Sequence, residues 1–219
     1  VKFRTLFIVA AARVADRQRG RGGAGLLFKM KDDPRSTSPG RWLRRYWAAR
    51  ARLGVDTAYD EAVFSNGKRL GIKLFNAAKF VAGHLLAQDL TELNPTDISE
   101  PLDQSFIERL RETVRRAGEE FEAFEFAAAL QIIEDFFWAD LCDNYLELVK
   151  VRAYSAEWTP GKRSALVMLK TVLSVQLRLF APYLPFITEE IWSWQFAKPL
   201  GREQSIHTAA WPTVGELAD

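Results

Sequence analysis

The 219-residue chain is 48% hydrophobic and 26% charged, a composition typical of an ordinary folded protein with a substantial core. Its single cysteine, Cys142, excludes an intrachain disulfide framework, and two histidines add too few ligands for a zinc site. The net charge of +2 hides an asymmetry, because residues 1–52 carry 14 Lys and Arg against 3 Asp and Glu, whereas the remainder carries 16 against 25.

Residues 1–40 are predicted to be an irregular N-terminal segment that ends near Pro39. The stretch "RQRGRGGAG" is rich in Gly and Arg, and "DDPRSTSPG" is rich in turn-forming residues. The basic charge favours a nucleic-acid partner, with a solvated basic tail as the alternative. No apolar run reaches the roughly 20 residues of a membrane span, so we expect no membrane contact. The lone cysteine suits a reducing compartment, and we expect a cytoplasmic protein.

The pattern from residue 41 to residue 219 is helical almost throughout and predicts an all-α fold, an antiparallel helical bundle. A short segment through Trp47 comes first. A long helix from about Glu61 to Ala87 follows, because apolar residues recur there at helical spacing. Its predicted core stripe consists of Leu70, Leu74, Ala77, Val81 and Leu85.

Ser105 and Glu108 have capping-box spacing, which predicts that the next helix begins there. Its predicted core residues are Phe106, Leu110, Val114, Ala117 and Phe121. A third long helix, from about Phe124 to Arg152, is expected to bury Phe126, Leu130, Ile133, Phe137, Leu141, Tyr145 and Leu148. A fourth, from about Gly161 to Phe180, is expected to bury Leu166, Leu169, Leu173, Leu177 and Phe180.

Two further features complete the helical region. Pro185 is expected in the first turn of a final short helix, "FITEEIW", where its missing N–H costs nothing. On the third long helix several acidic side chains share one side, and we expect a polar outer face or ion pairs with Lys150 and Arg152 rather than a pair of catalytic carboxylates. These acidic residues are Asp140, Asp143 and Glu147.

A second face of the first long helix carries groups of a different kind. Its members follow one another at helical steps of four, three, four and four residues, about 100° from the core stripe, and they are Arg69, Lys73, Asn76, Phe80 and His84. Cations, an amide and an aromatic ring are the groups that recognise single-stranded RNA. The alternative is structural, because a Phe beside a core stripe is usually core and a Lys there usually extends past it to solvent.

The segment "YWAARARLGVDTAYDEAVFSNGKRLGIKLFNAAKFV" closely resembles the anticodon-binding domain of bacterial valyl-tRNA synthetases, a class I family. Three later segments agree in order: "FAAALQIIEDFFWADLCDNYLELVKVRAY", "LRLFAPYLPFITEEIW" and "SIHTAAWP". The resemblance covers about residues 41–215 and implies a helical bundle that binds the anticodon arm of tRNA, with tRNA(Val) as the expected partner.

The resemblance also implies roles for individual residues. Phe80 is expected to stack on an anticodon base, Lys73 to hold a phosphate or base acceptor, and Leu146 to shape the pocket. Arg69 and Asn76 complete the predicted anticodon-binding set on the spacing of the second face. The family has a basic residue eleven positions before the lysine, whereas this chain has Ala62, so one family contact is not expected here.

The catalytic signatures of that family are not found. His-Ile-Gly-His is absent, and "KMK" followed by Asp32-Asp33-Pro34 is a poor match to Lys-Met-Ser-Lys-Ser. We expect no catalytic residues, no metal and no cofactor in this chain, with ATP used only by a full-length enzyme. Two alternatives to a tRNA-binding module stay open. One is an adaptor bundle that has lost RNA binding, and the other is one part of a split synthetase that works with a separate catalytic part.

Overall fold

The computed structural model describes residues 41–52, 59–85, 93–196 and 205–217, and these ranges consist of helices joined by turns and loops, with no β-strand among them. The predicted all-α fold is confirmed, whereas the predicted irregular segment 1–40 and the predicted helix end at Ala87 lie outside the described residues. The α-helices are α1 Arg41–Arg50, α2 Glu61–Leu85, α3 Pro101–Glu122, α4 Phe126–Asp135, α5 Leu146–Ala153, α6 Pro160–Phe180 and α7 Pro185–Gln195.

A π-helical stretch, Phe136–Tyr145, joins α4 to α5, so that the three form one continuous rod, here called the central helix. Short 3-10 turns occur at Pro95–Asp97, Ile206–Thr208 and Val214–Leu217. None of the described helices combines the length and the apolar character that a membrane crossing requires.

Helix α3 packs antiparallel to the central helix. The Phe121 and Phe126 rings are 4.9 Å apart at one end, and the Tyr145 hydroxyl donates a 2.8 Å hydrogen bond to Asp103 at the other. The predicted core stripes of α2, α3 and α6 are all buried, as the periodicity of each helix required. The predicted antiparallel packing is therefore confirmed for this pair.

The central helix departs from the predicted single α-helix in its middle turns. A π-helix closes i to i+5 hydrogen bonds and so adds one residue to a turn, which rotates every later side chain relative to an α-helical count. The expected core residue Leu148 is instead 59% exposed, and Val149 takes the buried position. The prediction for Leu148 was wrong because the periodicity assumed an uninterrupted 3.6-residue repeat.

Proline sets the start of three helices. Pro101, Pro160 and Pro185 each occupy the first turn of α3, α6 and α7, respectively, where a fixed φ suits the helix and no N–H is needed. Thr159 also caps α6, because its hydroxyl accepts a 3.1 Å hydrogen bond from the Lys162 backbone N–H. The predicted start at Ser105 was wrong: α3 begins one turn earlier.

A buried carboxylate ties α1 to the central helix. Glu134 accepts a 2.8 Å hydrogen bond from the Tyr46 hydroxyl and a 2.6 Å bond from Arg50 Nη1. Burial raises the pKa of Glu134 and also raises the pKa of Tyr46, while Arg50 opposes both shifts. This cluster fixes where α1 lies, because a buried charge must keep its partners.

The buried side chain of His207 makes the stability of the fold depend on pH. Its Nε2–H donates to the Pro185 carbonyl oxygen at 3.0 Å, and burial lowers its pKa below the usual 6.5, although the nearby Glu189 carboxylate opposes this. A histidine with a depressed folded pKa contributes its full stability above the unfolded pKa and loses it as pH falls below that value. We expect urea denaturation to show a larger loss of stability between pH 7 and pH 5 in the native chain than in His207→Gln. Equal losses would contradict this assignment.

Candidate nucleic-acid interface

The second face of α2 is accessible along its length. Arg69 and Asn76 are exposed, and Lys73, Phe80 and His84 are half-buried. The core stripe of the same helix lies beneath them and holds the backbone in place. The helix therefore carries two cations, an amide and an aromatic ring at helical spacing, with the Phe80 ring partly buried against the core. Their part in anticodon binding stays a prediction.

Lys73 lies where α2 meets the π-helical stretch. Its Nζ is 6.0 Å from the centroid of the half-buried Trp138 ring, a cation–π distance. Burial raises the pKa of the neighbouring Cys142 thiol to about 12, and the positive charge of Lys73 opposes that shift. Within the described ranges Lys73 has no carboxylate partner, so its charge remains available to a phosphate.

Phe80 belongs to a cluster of three rings at the seam between α2 and the end of the central helix. Its ring centroid is 4.7 Å from His84 and 6.1 Å from Tyr154, and His84 is 4.5 Å from Tyr154. Burial lowers the pKa of His84, and the charge of Lys162 lowers it further. His84 is therefore mainly an uncharged ring at neutral pH.

The three-ring cluster continues into the α5–α6 corner, residues 154–159. Tyr154 is 67% exposed and Trp158 is 42% exposed. Lys162 Nζ lies 5.8 Å from the Trp158 centroid, and Arg163 Cζ lies 5.7 Å from it. This corner was not predicted from the sequence, although two aromatic and two basic residues within "YSAEWTPGKR" are a signal of the same kind as on α2.

Leu146 and Ala62 are placed differently from the α2 face. Leu146 is only 8% exposed and packs in the core, so its expected part in shaping a pocket stays a prediction. Ala62 is exposed in the first turn of α2, beside the exposed Asp60 and Glu61. The Asp60 carboxylate accepts a 2.8 Å hydrogen bond from the Ala62 backbone N–H. The start of α2 is thus acidic, which disfavours a phosphate there.

A buried carboxylate network lies directly behind the corner. Asp103 is fully buried and accepts hydrogen bonds from Arg152 Nη1 and Nη2 at 2.6 and 2.7 Å, from Tyr145 at 2.8 Å and from Ser164 at 2.6 Å. The expectation that Arg152 pairs with outer carboxylates of its own helix was therefore wrong, since a doubly bonded buried carboxylate is the stronger partner.

Lys150 does pair with an outer carboxylate, as expected, because its Nζ lies 2.6 Å from Glu147. No cluster of three or more His, Cys, Asp or Glu side chains suited to a metal ion occurs in the part of the chain that the structure describes. The groups on the second face of α2 and at the corner are mainly cations and aromatic rings.

Comparison with known proteins identifies the same kind of domain. Residues 103–218 match the family described as "Anticodon-binding domain of tRNA ligase". The valine–tRNA ligase of Thermobifida fusca is 48% identical over 173 residues, which cover 79% of this chain and 18% of that protein. The valine–tRNA ligase of Cutibacterium acnes is 44% identical over 175 residues, with 79% and 19% covered. The chain spans about a fifth of the length of these relatives.

A solved structure is similar in fold. The ternary complex of Agrobacterium radiobacter K84 LeuRS with tRNA and LeuAMS matches 81% of this chain and 20% of that chain, with a TM-score of 0.59 and 18% sequence identity. At this identity the match supports the helical fold alone.

Proposed function

The chain belongs to the anticodon-binding domain family of tRNA ligases, and from that premise we propose that it binds the anticodon arm of a tRNA, with tRNA(Val) as the specific partner. The observation that carries this proposal is the accessible α2 face, on which Lys73 and Phe80 lie about 10 Å apart along the helix axis. A cation for phosphate and a ring for stacking are held at that spacing by a buried stripe, so little ordering accompanies binding.

The chain on its own supplies binding and no chemistry in this proposal. Aminoacylation needs ATP, the amino acid and the tRNA end positioned together, and the second face of α2 offers no site of that kind. We therefore expect no cofactor on this chain, and valine transfer only when a catalytic part is present in the same or a separate protein. Charging of tRNA(Val) after mixing with such a part would identify a split enzyme.

The first test is a titration with tRNA(Val) and a non-cognate tRNA at a fixed salt concentration. We expect tighter binding of tRNA(Val), and Phe80→Ala should weaken it by about 1 to 3 kcal/mol because one base loses its stacking partner. Lys73→Ala should weaken binding and reduce the salt slope by about 1, as expected for a lost phosphate contact.

Lys79→Ala is the matched control for Lys73→Ala. Lys79 is exposed on the same helix, yet its Nζ lies 6.0 Å from the Phe75 ring on another face. Its removal should leave the affinity and the salt slope unchanged. If neither tRNA binds to the folded native chain, the proposal fails and an adaptor bundle without RNA binding is the remaining function.

A further inference from the structure

We propose that Tyr154 and Trp158 are two further stacking residues for unpaired bases, so that the bound strand runs from Lys73 along α2 and onto the α5–α6 corner. This inference rests on the proposed function and deepens it. The corner connects the central helix to α6 and lies outside the α2 face that the sequence singled out. What joins the two surfaces is direct contact between their aromatic rings.

The ring contacts make one continuous aromatic surface across two helices. Phe80 and His84 come from α2, whereas Tyr154 immediately follows α5 and touches both, at 6.1 and 4.5 Å between centroids. Tyr154 is the most exposed of the three rings. A base stacked on Phe80 therefore has a second ring beside it, and bases of any identity can use such a surface.

Trp158 follows Tyr154 by four residues in the same corner, is 42% exposed and lies close to two cations. Lys162 and Arg163 both lie within cation–π distance of its ring. Besides this contact, Arg163 makes a long ion pair to Asp97, at 3.8 Å, and its side chain is partly exposed. A base can thus stack on the Trp158 ring while the Arg163 guanidinium binds an adjacent phosphate, a common arrangement in single-strand binding.

The distribution of charge along α2 also favours a path of the strand toward the α5–α6 corner. Asp60 and Glu61 lie at the start of α2, Lys73 lies in its middle, and Lys162 is close enough to His84 near its end to lower the His84 pKa. A polyanion is repelled from the first turn and attracted toward the corner. Lys73 and Lys162 thus favour a path toward the corner, where the exposed Glu157 and the Arg163-paired Asp97 reduce the net positive charge.

The corner is also fixed before any RNA arrives. Arg152, two residues before Tyr154, is held by two hydrogen bonds to Asp103. Lys162 Nζ donates a 2.6 Å hydrogen bond to the Ser155 carbonyl oxygen, and Thr159 caps α6. The rings thus sit on a braced turn, so binding does not have to order them.

The test compares binding of an isolated anticodon stem–loop by the native chain and by Tyr154→Ala and Trp158→Ala. Each variant should lose about 5- to 150-fold in affinity, the range that one lost stacking contact gives. Tyr154→Phe keeps the ring and should bind like the native chain. A fully paired RNA duplex of the same length offers no unpaired base, so its weaker binding should be the same for all of these proteins.

Phe124→Gly is the matched control. Phe124 is 48% exposed and precedes the central helix, whereas Tyr154 follows it, so the two are about 40 Å apart along that helix. Its removal should not change RNA affinity. The inference is overturned if Phe80→Ala weakens binding while Tyr154→Ala and Trp158→Ala do not, and in that case the proposed function stands. Absence of binding by the native chain overturns both.

Discussion

Asp103→Ala should lower the free energy of unfolding by about 3 to 5 kcal/mol, the usual effect of removing one partner of a buried ion pair. The Asp103 side chain is fully buried, and three side chains donate hydrogen bonds to it, namely Tyr145, Arg152 and Ser164. Without the carboxylate, the Arg152 charge keeps a 3.2 Å hydrogen bond to the Gly161 carbonyl oxygen and the more distant charge of Glu100. Urea denaturation followed by circular dichroism measures the change.

Asp140→Ala is the control for that experiment. Asp140 also pairs with an arginine, Arg109 at 3.2 Å, but the arginine side chain is 62% exposed. An exposed ion pair contributes about 0 to 1 kcal/mol, so this variant should be close to the native chain. Equal effects of Asp103→Ala and Asp140→Ala on the free energy of unfolding would show that burial of the Asp103 network adds no stability.

Gly67→Ala should destabilise the protein by about 1 to 3 kcal/mol, although alanine is the better helix former. A Cβ at position 67 of α2 would lie 2.5 Å from the Cδ1 atom of Tyr46. The Tyr46 ring is buried and its hydroxyl is bonded to Glu134, so the ring cannot move aside without disturbing the buried carboxylate. Overpacking therefore outweighs helix propensity.

Gly83→Ala in the same helix should have the opposite sign. No atom lies within 4 Å of a Cβ built at Gly83, and the residue is exposed. The substitution then acts through helix propensity and the entropy of the unfolded chain, and should stabilise the protein by about 0.5 to 1 kcal/mol. If Gly67→Ala and Gly83→Ala shift the denaturation midpoint equally, the Tyr46 contact does not restrict position 67.

The helices with an uninterrupted repeat were the predictable ones. The core stripes of α2, α3 and α6 follow directly from 3.6-residue spacing, since a helix with one apolar side has one way to bury it. Helix starts were harder to predict, because Ser105 had good capping spacing and yet Pro101, with an extended Glu100 before it, begins α3. The fixed φ of proline is compatible with a helix start wherever the preceding residue is extended.

The part of the candidate interface on α2 could be predicted from the sequence, whereas the part at the α5–α6 corner could not. Lys73, Phe80 and their neighbours share an α2 face that spacing reveals. Tyr154 reaches that face only because the central helix ends beside α2, which depends on contacts between residues far apart in the chain. Trp138 comes within 6.0 Å of Lys73 for the same reason.

The sequence by itself determined the helical class, the buried face of each regular helix and the resemblance that points to tRNA, because these depend on local spacing and on residue identity. The tertiary structure alone decided the π-helical shift that exposes Leu148, the burial of Leu146 and the pairing of Arg152 with Asp103. Those features depend on which helices meet and at what rotation. Packing settles that question through contacts that no local repeat encodes.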